Sequence, residues 1–254
     1  MFINDKTHHA IWAIVPAAGI GRRMQSAIPK QYLSLNGRPV LEHTLNALLD
    51  NQHISGLVIA LQAEDAYWAY VKIHSQKPII RAAGGQERSD SVLNALNALS
   101  QLAAFNAETD WVMVHDAVRP CLRQQDIDQL VNEVGGDING GLLALPVRDT
   151  MKRQRSDKHS VNCVAQTVDR ENLWHALTPQ YFPAIVLKNA LQNARQKEQT
   201  ITDESSAMEA AGYSPRLVQG YEDNIKITRP DDLRLASLYL QSQQEGMIDR
   251  DEQP

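Results

Sequence analysis

Short apolar runs rich in β-forming residues recur along this chain with helical patterns between them, and that alternation restricts the fold more than any other feature. The runs are Ile11 to Val15, Leu57 to Leu61, a segment around Ile79, Trp111 to Val114 and Gly141 to Leu145. Among the intervening helices one shows its period well: Val92, Leu96, Leu99 and Ala103 form a single apolar stripe. Strands joined by helical crossovers build a mainly parallel sheet with helices on both faces. The expected fold is α/β and Rossmann-like. Ligands of such sheets bind beyond the carboxyl ends of the strands, so the residues that follow each strand carry the functional information.

The alternation breaks between Arg148 and Arg170. A polar stretch, Asp149 to His159, is followed by alternation through Val161, Cys163 and Ala165. The segment is too short and too charged to bury a core of its own, and reads as a protruding β-hairpin arm; a surface loop is the plainer alternative. Helical patterns then return around Pro183 to Gln196 and Thr202 to Ala211, with Trp174 and Leu177 read as core residues at helical spacing. Arg216 to Val218 is strand-like. A final helix is expected from Pro230 to about Leu240, with Asp231 and Asp232 favoured in its first turn by the helix dipole. The polar stretch from Gln241 to Pro254 is expected to fray. With 254 residues, 43% of them hydrophobic, one domain over residues 1–245 accounts for the chain, with 148–170 as its arm and 246–254 as a polar tail.

The formal charge of -5 argues against broad binding to nucleic acid, which needs a basic surface. It does not exclude an anionic small molecule, because a few cations can focus positive potential in one cleft. Cys121 and Cys163 are too few for a disulfide framework and fit a reducing compartment. Met1 to Ala10 holds no apolar signal-peptide core, and no later run is apolar for long enough to span a bilayer. The expected location is the cytoplasm, without a membrane partner.

The first strand runs into Pro16-Ala-Ala-Gly-Ile-Gly-Arg-Arg-Met-Gln-Ser-Ala-Ile-Pro-Lys-Gln31. Small Ala17, Ala18, Gly19 and Gly21 let backbone amides approach phosphate oxygens, while Arg22, Arg23 and Lys30 bring fixed positive charge. Gly-x-Gly alone also opens dinucleotide-binding folds. Here Met24 stands where that fingerprint wants a small residue, and no Gly-Lys-Ser/Thr ending makes a Walker loop. Gly84-Gly-Gln-Glu-Arg-Ser-Asp-Ser-Val92 follows the strand at Ile79. Taken alone it reads first as a turn with Ser89 or Asp90 capping the next helix, and second as a source of amides and hydroxyls for a base and ribose. His115-Asp-Ala-Val-Arg-Pro120 puts a carboxylate and a guanidinium directly after a strand. Scattered histidines give no zinc spacing, and no Gly-x-Ser-x-Gly elbow supplies a nucleophile.

Taken in order, these segments resemble the 2-C-methyl-D-erythritol 4-phosphate cytidylyltransferase family of nucleotidyltransferases. Val147 to Lys152, Val168 to Gln180, Thr202 to Ser206 and Asp223 to Pro230 extend the match over nearly the whole domain. One departure is Val118, where the family has alanine. The resemblance implies direct attack of methylerythritol phosphate on the α-phosphorus of CTP, with Arg23, Lys30 and Lys226 catalytic. It implies nucleotide contacts from Pro16, Ala17, Ala18, Gly19, Gly21, Arg22, Gly85, Arg88, Ser91, Asp116 and Ala117, and acceptor contacts from Arg119, Thr150, Arg170 and Thr178. It further implies Mg²⁺ near Asp116 and Asp223, and a homodimer in which the arm reaches the partner's site. A cytidylyltransferase for another polyol phosphate and a non-catalytic nucleotide-binding protein are the competing readings.

Overall fold

A computed structural model describes residues 9–19, 28–155 and 162–251, with side chains described as far as Glu245. Its first half contains β1 (Ile11–Pro16), β2 (Ser34–Leu35), β3 (Arg38–Pro39), α1 (Val40–Leu49), β4 (Ile54–Leu61), β5 (Ile79–Ala83), α2 (Arg88–Leu99), β6 (Trp111–Val114) and α3 (Gln124–Val134). The second half adds β7 (Gly141–Pro146), β8 (Met151–Gln154), β9 (Val164–Val168), β10 (Trp174–Pro183), α4 (Ala184–Gln196), α5 (Glu204–Ala210), β11 (Arg216–Gln219) and α6 (Pro230–Asp251). Seven strands form the central sheet in the order β11-β7-β10-β6-β1-β4-β5. Pairing is parallel throughout except at β10, which runs antiparallel to both β6 and β7.

Strand alternation distributes the core to both faces of the sheet. Ile11, Ala13 and Val15 of β1 pack with Trp111 and Met113 of β6 against Leu41, Leu45 and Leu48 of α1 and Ile127 and Leu130 of α3. Their neighbours Trp12, Ile14, Val112 and Val114 point the other way, against Val92 and Leu96 of α2, Leu187 and Leu191 of α4, and Met208 of α5. Each buried side chain of this size contributes roughly 1.5–3 kcal/mol of transfer free energy, so these two layers dominate the stability of the domain. A third, smaller cluster joins Val118, Cys121 and Ile227 to Ala236 of α6.

Three expectations need correction. Trp174 and Leu177 do not lie on a helix; they belong to β10, where Tyr181 and Phe182 alternate between the two core layers. The slot between β6 and β7 offers a ladder on both sides, which outweighs the local helical spacing. The stripe on α2 ends at Leu99, and exposed Ala103 lies beyond the helix, with Leu102 and Phe105 packing there instead. Helix α6 does not stop near Leu240 but continues to Asp251. At its start, Asp232 Oδ2 accepts from the amides of Thr228 (2.7 Å) and Arg229 (2.8 Å), which satisfies donors a helix leaves open.

Among the described residues strands β8 and β9 pair only with each other, Met151 opposite Val168, and form the stem of the expected arm. Its side chains are exposed along nearly the whole length.

Candidate active site

A cleft of 520 Å³ opens beyond the carboxyl ends of β1 and β6. A hollow of 650 Å³ lies beside Arg123 and Tyr221, so size does not select the site; position at the strand ends and chemistry do. Pro16, Ala17, Ala18 and Gly19 form one wall, Gly85, Arg88 and Ser91 another, and Asp116, Ala117, Lys30 and Lys226 the remainder. The structure therefore brings together these eleven expected residues. Gly21, Arg22 and Arg23 lie outside the described residues.

The walls are set by close backbone packing. Ala17 N donates to Ala60 O at 2.8 Å and Gly84 N to Leu61 O at 2.6 Å, which prolongs the β1–β4–β5 ladder into the loops. A Cβ on Gly84 would sit 2.1 Å from Ala18 Cβ, and one on Gly85 2.1 Å from Asp90 Cβ. Neither position admits a side chain without moving the loop. Gly85 N donates to Ser91 Oγ at 3.0 Å, tying the loop to the first turn of α2. Neither expected residue is the cap: Ser89 and Asp90 lie inside α2, whose N-cap is Glu87, and Asp90 at the third helical position accepts from Glu87 N at 3.2 Å in a capping box.

At the floor of the cleft Asp116 gathers three cations. Arg88 Nε donates to its Oδ1 at 3.1 Å, while Lys226 Nζ and Arg119 Nε lie 2.8 Å and 3.5 Å from its Oδ2. Burial opposes ionisation, but Arg88, Lys226 and Arg119 outweigh it and hold the carboxyl well below the usual carboxylate range. Arg88 in turn bridges to Glu204, whose Oε1 accepts from Nη1 at 2.6 Å. Burial pushes the Glu204 carboxyl upward and Arg88 counteracts it; so short a charge-assisted contact is that of an ion pair. Lys30 also lines the cleft and donates to Ile227 O, the carbonyl next to Lys226, at 3.4 Å.

Behind Asp116 runs a buried chain of hydrogen bonds. His115 Nε2 faces Arg119 O at 3.1 Å, so that nitrogen carries the proton and donates. Nδ1 then accepts from the Thr178 hydroxyl at 2.9 Å, and the same hydroxyl accepts from Asp116 N at 3.0 Å. Burial lowers His115 to about 4, which keeps the ring neutral near pH 7. Thr178, expected as an acceptor contact, thus spends its only side-chain proton on His115 and fixes the Asp116 backbone. Arg119, also expected to touch the acceptor, is 7% exposed and donates through Nη1 to Asn224 O at 2.6 Å. Both support the floor of the cleft.

Asp223 departs furthest from expectation. It does not line this cleft but the 650 Å³ hollow, with Arg123 Nη2 at 2.6 Å from its Oδ2. The reason is the competing guanidinium: Arg123 offers two donors to one oxygen. Among the described residues no cluster of three metal-ligating side chains occurs. Thr150 and Arg170 sit on the arm, exposed and outside the lining of this chain's own cleft. Val118 turns its extra methyl groups into the cluster with Ile227 and Ala236 while bordering the cleft. His175 is exposed on β10.

Two glutamines were missed in the sequence. Gln31 Nε2 donates to Ala17 O at 2.7 Å and Gln62 Nε2 to Ala18 O at 2.9 Å, so they hold the glycine-rich loop by its carbonyls. Gln62 directly follows the apolar run of β4, and attention to strand ends alone would have found it.

Residues 11–242 match the family model described as 2-C-methyl-D-erythritol 4-phosphate cytidylyltransferase. The protein of that name from Aliivibrio fischeri (strain MJ11) is 50% identical over 232 residues, covering 91% of this chain and 94% of the relative. Its counterpart from Escherichia coli O127:H6 is 48% identical over 234 residues, 92% of this chain and 95% of the relative. The crystal structure of the Francisella tularensis enzyme superimposes with a TM-score of 0.76 at 34% identity, covering 91% of this chain and 99% of that one.

Proposed function

The chain belongs to the 2-C-methyl-D-erythritol 4-phosphate cytidylyltransferase family, and from that premise we propose how its own residues carry out the reaction. The enzyme transfers CMP from CTP to 2-C-methyl-D-erythritol 4-phosphate, giving 4-diphosphocytidyl-2-C-methyl-D-erythritol and pyrophosphate on the route to isoprenoid precursors. An oxygen of the acceptor phosphate forms the new bond to the α-phosphorus as the bond to the bridging oxygen of pyrophosphate breaks. The attacking oxygen is already anionic, so no protein base or nucleophile is required. What the protein must supply is alignment and positive charge where negative charge accumulates.

Lys30 and Lys226 supply that charge within the cleft, with Arg23 joining them on the triphosphate. The observation that carries this reading is the convergence of Lys30 and Lys226 on one cleft beside Asp116 at the strand ends. The loop from Ala18 to Arg22 receives the phosphates on its amides, with Pro16 and Ala17 forming the wall beneath them. Gly85, Arg88, Ser91 and Ala117 receive the base and ribose. Asp116 serves as the anchor that aims Lys226, and Thr178 and Arg119 hold Asp116 in turn.

A magnesium ion bound with the triphosphate would supply charge neutralisation, and Asp116 is the carboxylate of this chain placed to help hold it. With both Asp116 oxygens already facing Arg88, Lys226 and Arg119, such an ion would be held mainly by the nucleotide and its own waters, as magnesium commonly is. Thr150 and Arg170 serve the acceptor bound to the neighbouring subunit of a homodimer; the exposure of the arm supports this. Among the described residues no helix is long and apolar enough to cross a membrane, and we assign the enzyme to the cytoplasm.

Pyrophosphate release measured with each of the four nucleoside triphosphates, with and without methylerythritol phosphate, tests the assignment. Release that requires both CTP and the acceptor is expected. Release independent of the acceptor, or equal with UTP, contradicts it.

A further inference from the structure

Residues 220–226 form a strap that leaves β11 and carries Lys226 to the cleft. On the cleft side Asn224 holds it: Nδ2 donates to Thr178 O at 2.8 Å, and the Asn224 carbonyl accepts from Arg119. On the far side the hold is Asp223. Its Oδ2 accepts from Arg123 Nε at 2.8 Å, Arg123 Nη2 at 2.6 Å and Gln243 Nε2 at 2.8 Å. Arg123 precedes α3 and Gln243 lies on α6, so two helices converge on one carboxylate oxygen. Gln243 also donates to Cys121 O at 3.0 Å, which fixes its amide.

We propose that Asp223 is a positioning residue for Lys226, and that Arg123 and Gln243 form with it a clamp that sets how far the strap reaches into the cleft. Asp223 is 5% exposed and its Oδ1 is buried without a hydrogen-bond partner. A buried carboxylate left half satisfied is an inefficient way to gain stability, since apolar side chains of similar volume usually do as well. It does fix direction, because three donors must meet one oxygen. A turn between Asp223 and Lys226 relays that direction: Ile225 N donates to Asp223 O at 2.7 Å, and Ile227 N to Val118 O at 2.9 Å. Movement of Asp223 therefore moves the residue next to Lys226. The C-terminal helix enters the active site's support by this route although none of its described side chains lines the cleft.

The inference rests on the catalytic role of Lys226 proposed above, and a double-mutant cycle separates the two. Single-turnover pyrophosphate release is measured with enzyme in excess for Asp223→Asn, Lys226→Ala and the double variant, and again with Gln243→Met in place of Asp223→Asn. Asp223→Asn should slow turnover about tenfold in the parent and hardly at all once Lys226 is gone, because coupled residues are not additive. Gln243→Met, which spares the ion pair, should show the same pattern with a smaller loss and supplies the answer if Asp223→Asn does not fold. An equal factor in both backgrounds, or folded clamp variants with parental turnover, overturns the clamp while leaving Lys226 catalytic. Parental turnover in Lys226→Ala overturns both.

Discussion

Lys226 Nζ lies 2.8 Å from Asp116 Oδ2, so a carboxylate in the floor of the cleft aims the amine proposed to supply positive charge there. The same carboxylate faces Arg88 and Arg119. Replacing it by alanine leaves these cations without their common counter-charge, and stability should fall by about 3 kcal/mol. That value is toward the low end for breaking a buried pair because Arg88 and Lys226 are partly exposed. Turnover should fall as well, since Lys226 loses its anchor. Urea unfolding and pyrophosphate release check both; an unchanged unfolding midpoint in Asp116→Ala contradicts the arrangement.

Gly85 offers a test of the nucleotide wall that leaves the charges in place. An added methyl would meet Asp90 Cβ at 2.1 Å and Ser91 N at 3.0 Å, so Gly85→Ala must push the loop away from the start of α2. The expected outcome is a raised KM for CTP with little change in KM for the acceptor. Equal effects on both substrates, or none, would show that this wall does not hold the nucleotide.

The parallel part of the sheet was legible because β1, β4 and β6 are apolar runs with both faces buried, and the cleft followed from reading the ends of those strands. Strand β10 was hidden by its own sequence: Trp174 and Leu177 match a helical spacing, and only the vacancy between β6 and β7 makes the segment extended. The partners of Asp223 were equally out of reach. Arg123 is 100 residues away in sequence and Gln243 is 20, and nothing local to either marks the contact. Lys30, Asp116 and Lys226 could be named from motifs, but the sequence did not tell that Asp116 would bind cations and that Thr178 would bind His115.

Two buried groups give stability opposing pH dependences. His115 falls from its ordinary 6.5 to about 4, so its contribution is complete above about pH 6.5 and is lost as pH drops toward 4. Asp126 rises from 3.8 to about 6 through burial, so its contribution is complete below about pH 4 and is lost as pH climbs to 6. Each amounts to about 3 kcal/mol. Asp126→Asn removes the second dependence alone. Relative to the parent, the variant should therefore gain stability steadily from pH 4 to pH 6, as read from urea midpoints at several pH values. A constant difference across that range would show that Asp126 does not hold a proton in the folded state.

The arm supplies the sharpest test of assembly. Thr150 and Arg170 are exposed and absent from the lining of their own cleft, and among the described residues β8 and β9 pair only with each other. Lys30 belongs to the cleft of its own chain, and Lys30→Ala should lower turnover about 100-fold or more, as loss of a preorganised contact to developing charge does. If Arg170 serves the neighbour, a Lys30→Ala chain still offers a sound Arg170 to its partner. Mixed with an Arg170→Ala chain it forms heterodimers in which one site carries both defects and the other carries neither. Activity should then exceed that of either variant alone, approaching half the parental value per heterodimer. If Arg170 instead serves its own subunit, every heterodimer holds two singly damaged sites and mixing restores nothing. Subunit exchange is established first by mass spectrometry of tagged chains, which also reports whether a dimer forms at all. Exchange without recovered activity rejects the shared site, and a monomer in solution rejects the dimer on which it depends.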